Sequence, residues 1–80
     1  MTTEQIKEVE ELASLHFSEG QISLISGIDS NEPDFKTAVQ KGYLIRESKI
    51  RKSIFQLAEN GSAQAQMLAL KIMKTKKLLL

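Results

Sequence analysis

The chain has 80 residues, 41% of them hydrophobic and 26% charged, with a net charge of +1, no Cys, no Trp, one His and one Pro. A domain of this size hides only about 60 to 70% of its unfolded surface, so one small core is what the length allows and self-association would add to it. Without cysteine there is no disulfide framework, no thiolate nucleophile and no cysteine zinc site, and His16 alone cannot form a multi-histidine metal site. The longest apolar run, Met67 to Leu70, is far below the ~20 residues that span a bilayer, as is the terminal run Leu78 to Leu80. The N-terminus is acidic where a signal peptide is basic, so a cytoplasmic protein is expected, with no membrane partner.

Charge is divided along the chain. Through Phe35, eight acidic residues stand against Lys7 alone, a net −7; from Lys36 onward, ten basic residues stand against Glu47 and Glu59, a net +8. Such a division suits a basic surface for an anionic partner, or two oppositely charged faces that meet within or between copies. Solvated helix faces of either sign are the plain alternative.

Helix signals dominate. Thr2 or Thr3 caps a first helix expected from Thr3 to His16, with Glu4 in its opening turn and Ile6, Val9, Leu12, Ala13 and Leu15 at spacings of three and four. Ser18 caps a short second helix carrying Ile22, Leu24 and Ile25, and Gly27 stops it. A third is expected from about Asn31, with Pro33 in its first turn, to Gly42; its buried side is Phe35, Ala38 and Val39. A fourth runs from Tyr43 to about Asn60, through Leu44, Ile50, Ile54, Phe55, Leu57 and Ala58. Asn60, Gly61 and Ser62 combine a stop with a fresh cap, so the last helix, with Ala63, Ala65, Met67, Leu68, Ala69, Leu70, Ile72 and Met73, returns antiparallel. The fold expected is therefore all-α with about five helices. It is one domain over residues 1–80: a helix-turn-helix part over 1–42, then a long antiparallel helical hairpin over 43–80 that serves assembly. The residues expected to dominate its contacts are Phe17, Ile22, Ile25, Ile28, Phe35, Val39, Ile50, Ile54, Leu57, Leu68 and Ile72.

Chemistry-bearing constellations are absent. Glu10 and Glu11 point about 100° apart on a helix and do not face each other. His16, at a helix C-terminus, suits dipole compensation or packing. The glycines at 20, 27, 42 and 61 are too widely spaced for a phosphate-cradling loop and read as helix boundaries. No catalytic residue, metal ligand or cofactor is expected, and the chain reads as a non-enzyme.

The stretch Ile22 to Ile28 sets small residues and a glycine among apolar ones. This resembles the first helix and turn of a helix-turn-helix unit, where close approach and a sharp turn let the second helix enter a DNA groove. With the leading helix before it and the hairpin residues Ile54, Leu57, Ala58, Asn60, Gly61, Ser62, Ala65, Leu68 and Lys71 after it, most of the chain resembles the small subunit of tailed-phage terminases, the DNA-packaging recognition component. The resemblance implies double-stranded DNA as a partner, homo-oligomers built on the hairpin, and a terminase large subunit as a further partner in the host cytoplasm. On that resemblance, Lys36, Thr37, Gln40 and Lys41 face DNA, while Ile50, Ile54, Leu57, Leu68 and Ile72 form the oligomer interface. A second basic set, Arg46, Lys49, Arg51 and Lys52, with Lys71, Lys74, Lys76 and Lys77 beyond it, is an equal candidate for phosphate contact. The alternative function is a small α-helical interaction or scaffolding module without DNA binding. The stretch Leu57 to Gln66 also resembles one turn of a helical solenoid repeat, but a single copy cannot stack. A dimeric transcription regulator is a third reading.

Overall fold

The computed structural model describes residues 1–75. They form four α-helices and no strand: α1 (Thr3–Ser14), α2 (Glu19–Ser26), α3 (Phe35–Glu59) and α4 (Ala63–Thr75). The chain divides within α3 into two compact units, Met1–Glu47 and one beginning at Ser48.

In the first unit the helix starts follow their local chemistry. Thr2 accepts a hydrogen bond from the Gln5 backbone N–H at 3.1 Å, and the Gln5 amide oxygen accepts one from the Thr2 N–H at 2.9 Å. The same reciprocal box joins Ser18 and Gln21 at the start of α2. α2 ends at Gly27, whose φ of 73° is the left-handed conformation a glycine adopts without cost. The Ser23 hydroxyl then donates to the Ile28 carbonyl at 2.6 Å and fixes the exit from the helix.

Two expectations about the third helix are corrected. It does not begin at Asn31, because the Asp29 carboxylate accepts the Asn31 backbone N–H at 2.8 Å and folds the segment into a turn instead. Pro33 lies in the following turn, and Asp34 adopts φ 73°, which breaks the backbone direction immediately before Phe35. Residues 27–34 therefore connect α2 to α3, a longer stretch than the three or four residues usual in helix-turn-helix units.

Nor does the helix stop at Gly42. α3 continues through it, so the two expected helices on either side of Gly42 are one, and the described residues hold four helices rather than about five. Gly42 is buried where α3 crosses α1, and a Cβ placed there would collide with the Glu10 carbonyl and the Ala13 side chain. The missing side chain serves close helix approach, which outweighs glycine's poor helix propensity of about 1 kcal/mol.

The core of this unit is Val9, Ala13, Ile22, Ile28, Phe35, Ala38 and Val39, with Met1, Ile6, Leu12, Phe17 and Tyr43 packed around it. Ile25, expected among the residues that dominate the contacts, is 55% exposed. It sits on the outer side of α2, beside Leu24, because Ile22 takes the inward position.

In the second unit, the end of α3 and α4 are joined at Asn60, Gly61 and Ser62. Ser62 N–H donates to Leu57 C=O at 3.0 Å and Gly61 N–H to Ala58 C=O at 3.1 Å, with Gly61 at φ 98°, the paired closure of a Schellman motif. Ser62 then caps α4 by accepting the Ala65 N–H at 3.2 Å. Ala65 and Ala69, one turn apart, are the buried residues of α4. Of the residues expected at the oligomer interface, Ile50, Leu57 and Leu68 are exposed in the single chain, while Ile54 and Ile72 are half-buried.

Candidate nucleic-acid interface and assembly face

In the first unit, Phe35, Ala38 and Val39 turn one side of α3 into the core, and the helical period carries Lys36, Thr37, Gln40 and Lys41 to the surface, where all four are exposed. Lys36, Thr37 and Gln40 line a groove of about 640 Å³ together with Ser18, Glu19, Val39 and Tyr43. One wall is thus the capped start of α2, the other the opening turns of α3. Lys41 lies outside this groove; its ammonium is 3.4 Å from the Glu10 carboxylate, yet its side chain is 63% exposed. An ion pair so accessible to water is weak and does not withdraw the lysine from a polyanion.

Tyr43 stiffens the same region. Its hydroxyl donates to the Phe17 carbonyl at 2.7 Å, and its ring stacks on His16 with centroids 5.1 Å apart and an angle of 22°. His16 holds φ 62° just beyond α1, so the ring that the sequence places at a helix end is the packing partner of a residue 27 positions later. Tyr43, Ser18 and Glu19 are the groove residues that sequence reasoning missed. A tyrosine following a glycine in a helical pattern was the available signal.

Arg46 is employed differently from its neighbours. Its Nε–H donates to the Ser14 carbonyl at 2.8 Å, satisfying a free carbonyl in the last turn of α1 and placing a cation at the negative end of the helix dipole. Lys49, Arg51 and Lys52 belong to the second unit, where the lysines are exposed and Arg51 is half-buried. Lys71 and Lys74 are exposed on α4; Lys76 and Lys77 lie outside the described residues.

The second unit also carries an apolar groove of about 360 Å³, bordered by Phe55, Ala58, Glu59, Gln66, Ala69, Leu70 and Met73. Gln66 holds its rim by donating from Nε2 to the Ala58 carbonyl at 3.0 Å. Phe55, Ala58, Ala69, Leu70 and Met73 give it an apolar lining, and Glu59 is its one charged lining residue. Of the expected oligomer-interface residues, Ile50, Ile54, Leu57, Leu68 and Ile72 are all on this unit, and none of them lines the groove.

Among the described residues there is no cluster of three or more His, Cys, Asp or Glu side chains able to hold a metal ion, and no helix long and apolar enough to cross a membrane. The chain matches no protein-family model, no curated protein and no solved structure.

Proposed function

We propose that the chain is a non-enzymatic, cytoplasmic DNA-binding protein that works as an assembly of several copies, in the manner of the terminase small subunits it resembles. The observation that carries this reading is the exposed row Lys36, Thr37, Gln40 and Lys41 on the side of α3 opposite Phe35 and Val39. Lysines neutralise backbone phosphates, while threonine and glutamine can hydrogen-bond to phosphates or base edges.

Double Lys36→Glu and Lys41→Glu substitution should lower affinity for duplex DNA at least tenfold in fluorescence anisotropy and flatten its dependence on salt. Loss of binding instead on Lys49→Glu with Lys52→Glu moves the contact to the second unit. Binding that does not vary with salt, or no binding, rejects the DNA reading. A large ATPase subunit is the further partner the resemblance implies, to be tested by co-purification from a phage-infected host.

A second reading is favoured by a separate observation. The hairpin buries only alanines of α4 and leaves Ile50, Leu57, Met67, Leu68, Leu70 and Met73 exposed. So much apolar surface on one short hairpin suits an interaction or scaffolding module that meets copies of itself without DNA.

A further inference from the structure

Asn60 and Gly61 form the turn between α3 and α4, and the pair carries a chemistry of its own. The chain has two asparagines, Asn31 and Asn60, and only Asn60 is followed by a glycine. In such a pair the backbone nitrogen of the second residue can attack the asparagine side-chain carbonyl carbon and close a five-membered ring. A side chain on the second residue hinders that approach, and glycine has none. Asn60 and Gly61 are both exposed, so water reaches the turn. Among the described residues, no atom beyond the chain neighbours lies within 4 Å of the point where a Cβ on Gly61 would stand. Asn31, by contrast, is followed by Glu32.

The fold opposes the ring closure. The Gly61 nitrogen that must attack is the one whose N–H donates to the Ala58 carbonyl at 3.1 Å. Its neighbours are held as well, the Asn60 N–H by the Gln56 carbonyl at 3.1 Å and the Ser62 N–H by the Leu57 carbonyl at 3.0 Å. Gln66 fixes the Ala58 carbonyl from α4, donating to it from Nε2 at 3.0 Å. The nitrogen attacks only after leaving this bond and losing its proton, so the turn has to open first. A surface turn opens locally at lower free energy than a core helix, without global unfolding.

We propose that Asn60 is a site of spontaneous deamidation, with the hydrogen-bonded closure of the α3–α4 turn as its brake. The Gly61 nitrogen gives its proton to solvent and bonds to the Asn60 side-chain carbon, and the Asn60 amide nitrogen leaves as ammonia. Water then opens the ring. Cleavage of the new bond leaves aspartate; cleavage of the original peptide bond leaves isoaspartate, in which the chain runs through the β carbon. One water is consumed and one ammonia released, with no oxidant or reductant. Either product places a carboxylate at the C-terminal end of α3, where the helix dipole disfavours it. Isoaspartate also lengthens the chain by one carbon inside the loop that the Ser62–Leu57 and Gly61–Ala58 bonds close, and so loosens the hairpin.

The experiment incubates the full chain in mildly alkaline buffer, with and without denaturing urea. Peptide mass spectrometry follows the conversion, and an isoaspartate methyltransferase assay separates the two products. Conversion should occur at Asn60 and not at Asn31, and in folded protein it should be about tenfold or more slower than in urea, because its rate follows the open population of the turn. Gln66→Ala releases one hold on the Ala58 carbonyl; it should raise the folded-state rate about threefold and leave the rate in urea unchanged. Gln66 is exposed, so helical circular dichroism should not change. Amide exchange at Gly61 and Ser62 should be faster in the isoaspartate form than in the parent. Equal rates in folded and urea-treated protein overturn the brake, as does a Gln66→Ala rate no different from the wild type. No conversion of folded protein over a period that completes it in urea overturns the site itself. Conversion of Asn31 as fast as Asn60 overturns the role of Gly61, and unchanged amide exchange overturns the loosening.

Discussion

The Tyr43 hydroxyl of α3 reaches the backbone carbonyl of Phe17, in the connection between α1 and α2, and bonds it at 2.7 Å. This contact spans 26 residues, and the Arg46 bond to Ser14, at the end of α1, spans 32. Tyr43→Phe keeps the ring against His16 and removes only the donor. It should cost about 1 kcal/mol, the usual net worth of a hydrogen bond, read as a lower urea midpoint with an unchanged slope.

Arg46→Gln should separate folding from binding. Losing the Nε–H bond to Ser14 removes both a donor and a cation from the end of α1, an expected loss of about 1 to 2 kcal/mol in urea unfolding. A fall in DNA affinity that persists at temperatures where both proteins are fully folded assigns a phosphate contact to the guanidinium N–H groups that Ser14 does not use, and an unchanged affinity assigns Arg46 to the fold alone.

Gly42→Ala should be destabilising although alanine is the better helix former. The added methyl would meet the Glu10 carbonyl and the Ala13 side chain, and overpacking of this kind costs about 1 to 3 kcal/mol against a helix-propensity gain of about 1. Thermal unfolding followed by circular dichroism reads the difference, and Gly42→Val should lower the midpoint further. Gly20→Ala is the control: a methyl there meets no neighbour, and stability should rise or stay level.

Ser18→Ala removes the side-chain half of the reciprocal cap on α2. An eight-residue helix has little intrinsic stability, so the expected cost is about 1 kcal/mol, with faster amide exchange at Gln21 than at Val39 as the local signature.

Leu57→Asp tests the hairpin face outside the groove. The residue is 55% exposed in the single chain, so the change should leave helicity intact; if this part of α3 lies between copies, the assembly should dissociate to smaller species in light scattering.

What could be read from the sequence was the chemistry of single turns. Thr2, Ser18, Gly27 and the run Asn60 to Ser62 act through atoms three to five residues away, and the structure uses each of them as its own residue type dictates. The exposed positions Lys36, Thr37, Gln40 and Lys41 followed from helical period in the same way. Gly42 could not be read, because a glycine between two apolar patterns looks like a stop until α1 is laid across it, and the residues that decide the matter are Glu10 and Ala13. Arg46 likewise gave no sign of its partner, 32 residues earlier. In the hairpin, α4 reads as one wide apolar and small-residue face, and the pattern does not show which members turn inward; Ala65 and Ala69 occupy the inner positions and leave Leu68 outward.

Both capping boxes close with glutamine, Gln5 and Gln21, where glutamate would serve equally well as an acceptor. An amide has no proton to gain and no charge to screen. The reciprocal bonds of the two boxes should therefore persist in acid and in concentrated salt, whereas the favourable charge of Glu4 and Glu19 in the same first turns is lost on protonation and screened by salt, so that both conditions leave the caps closed and weaken only the charge contribution.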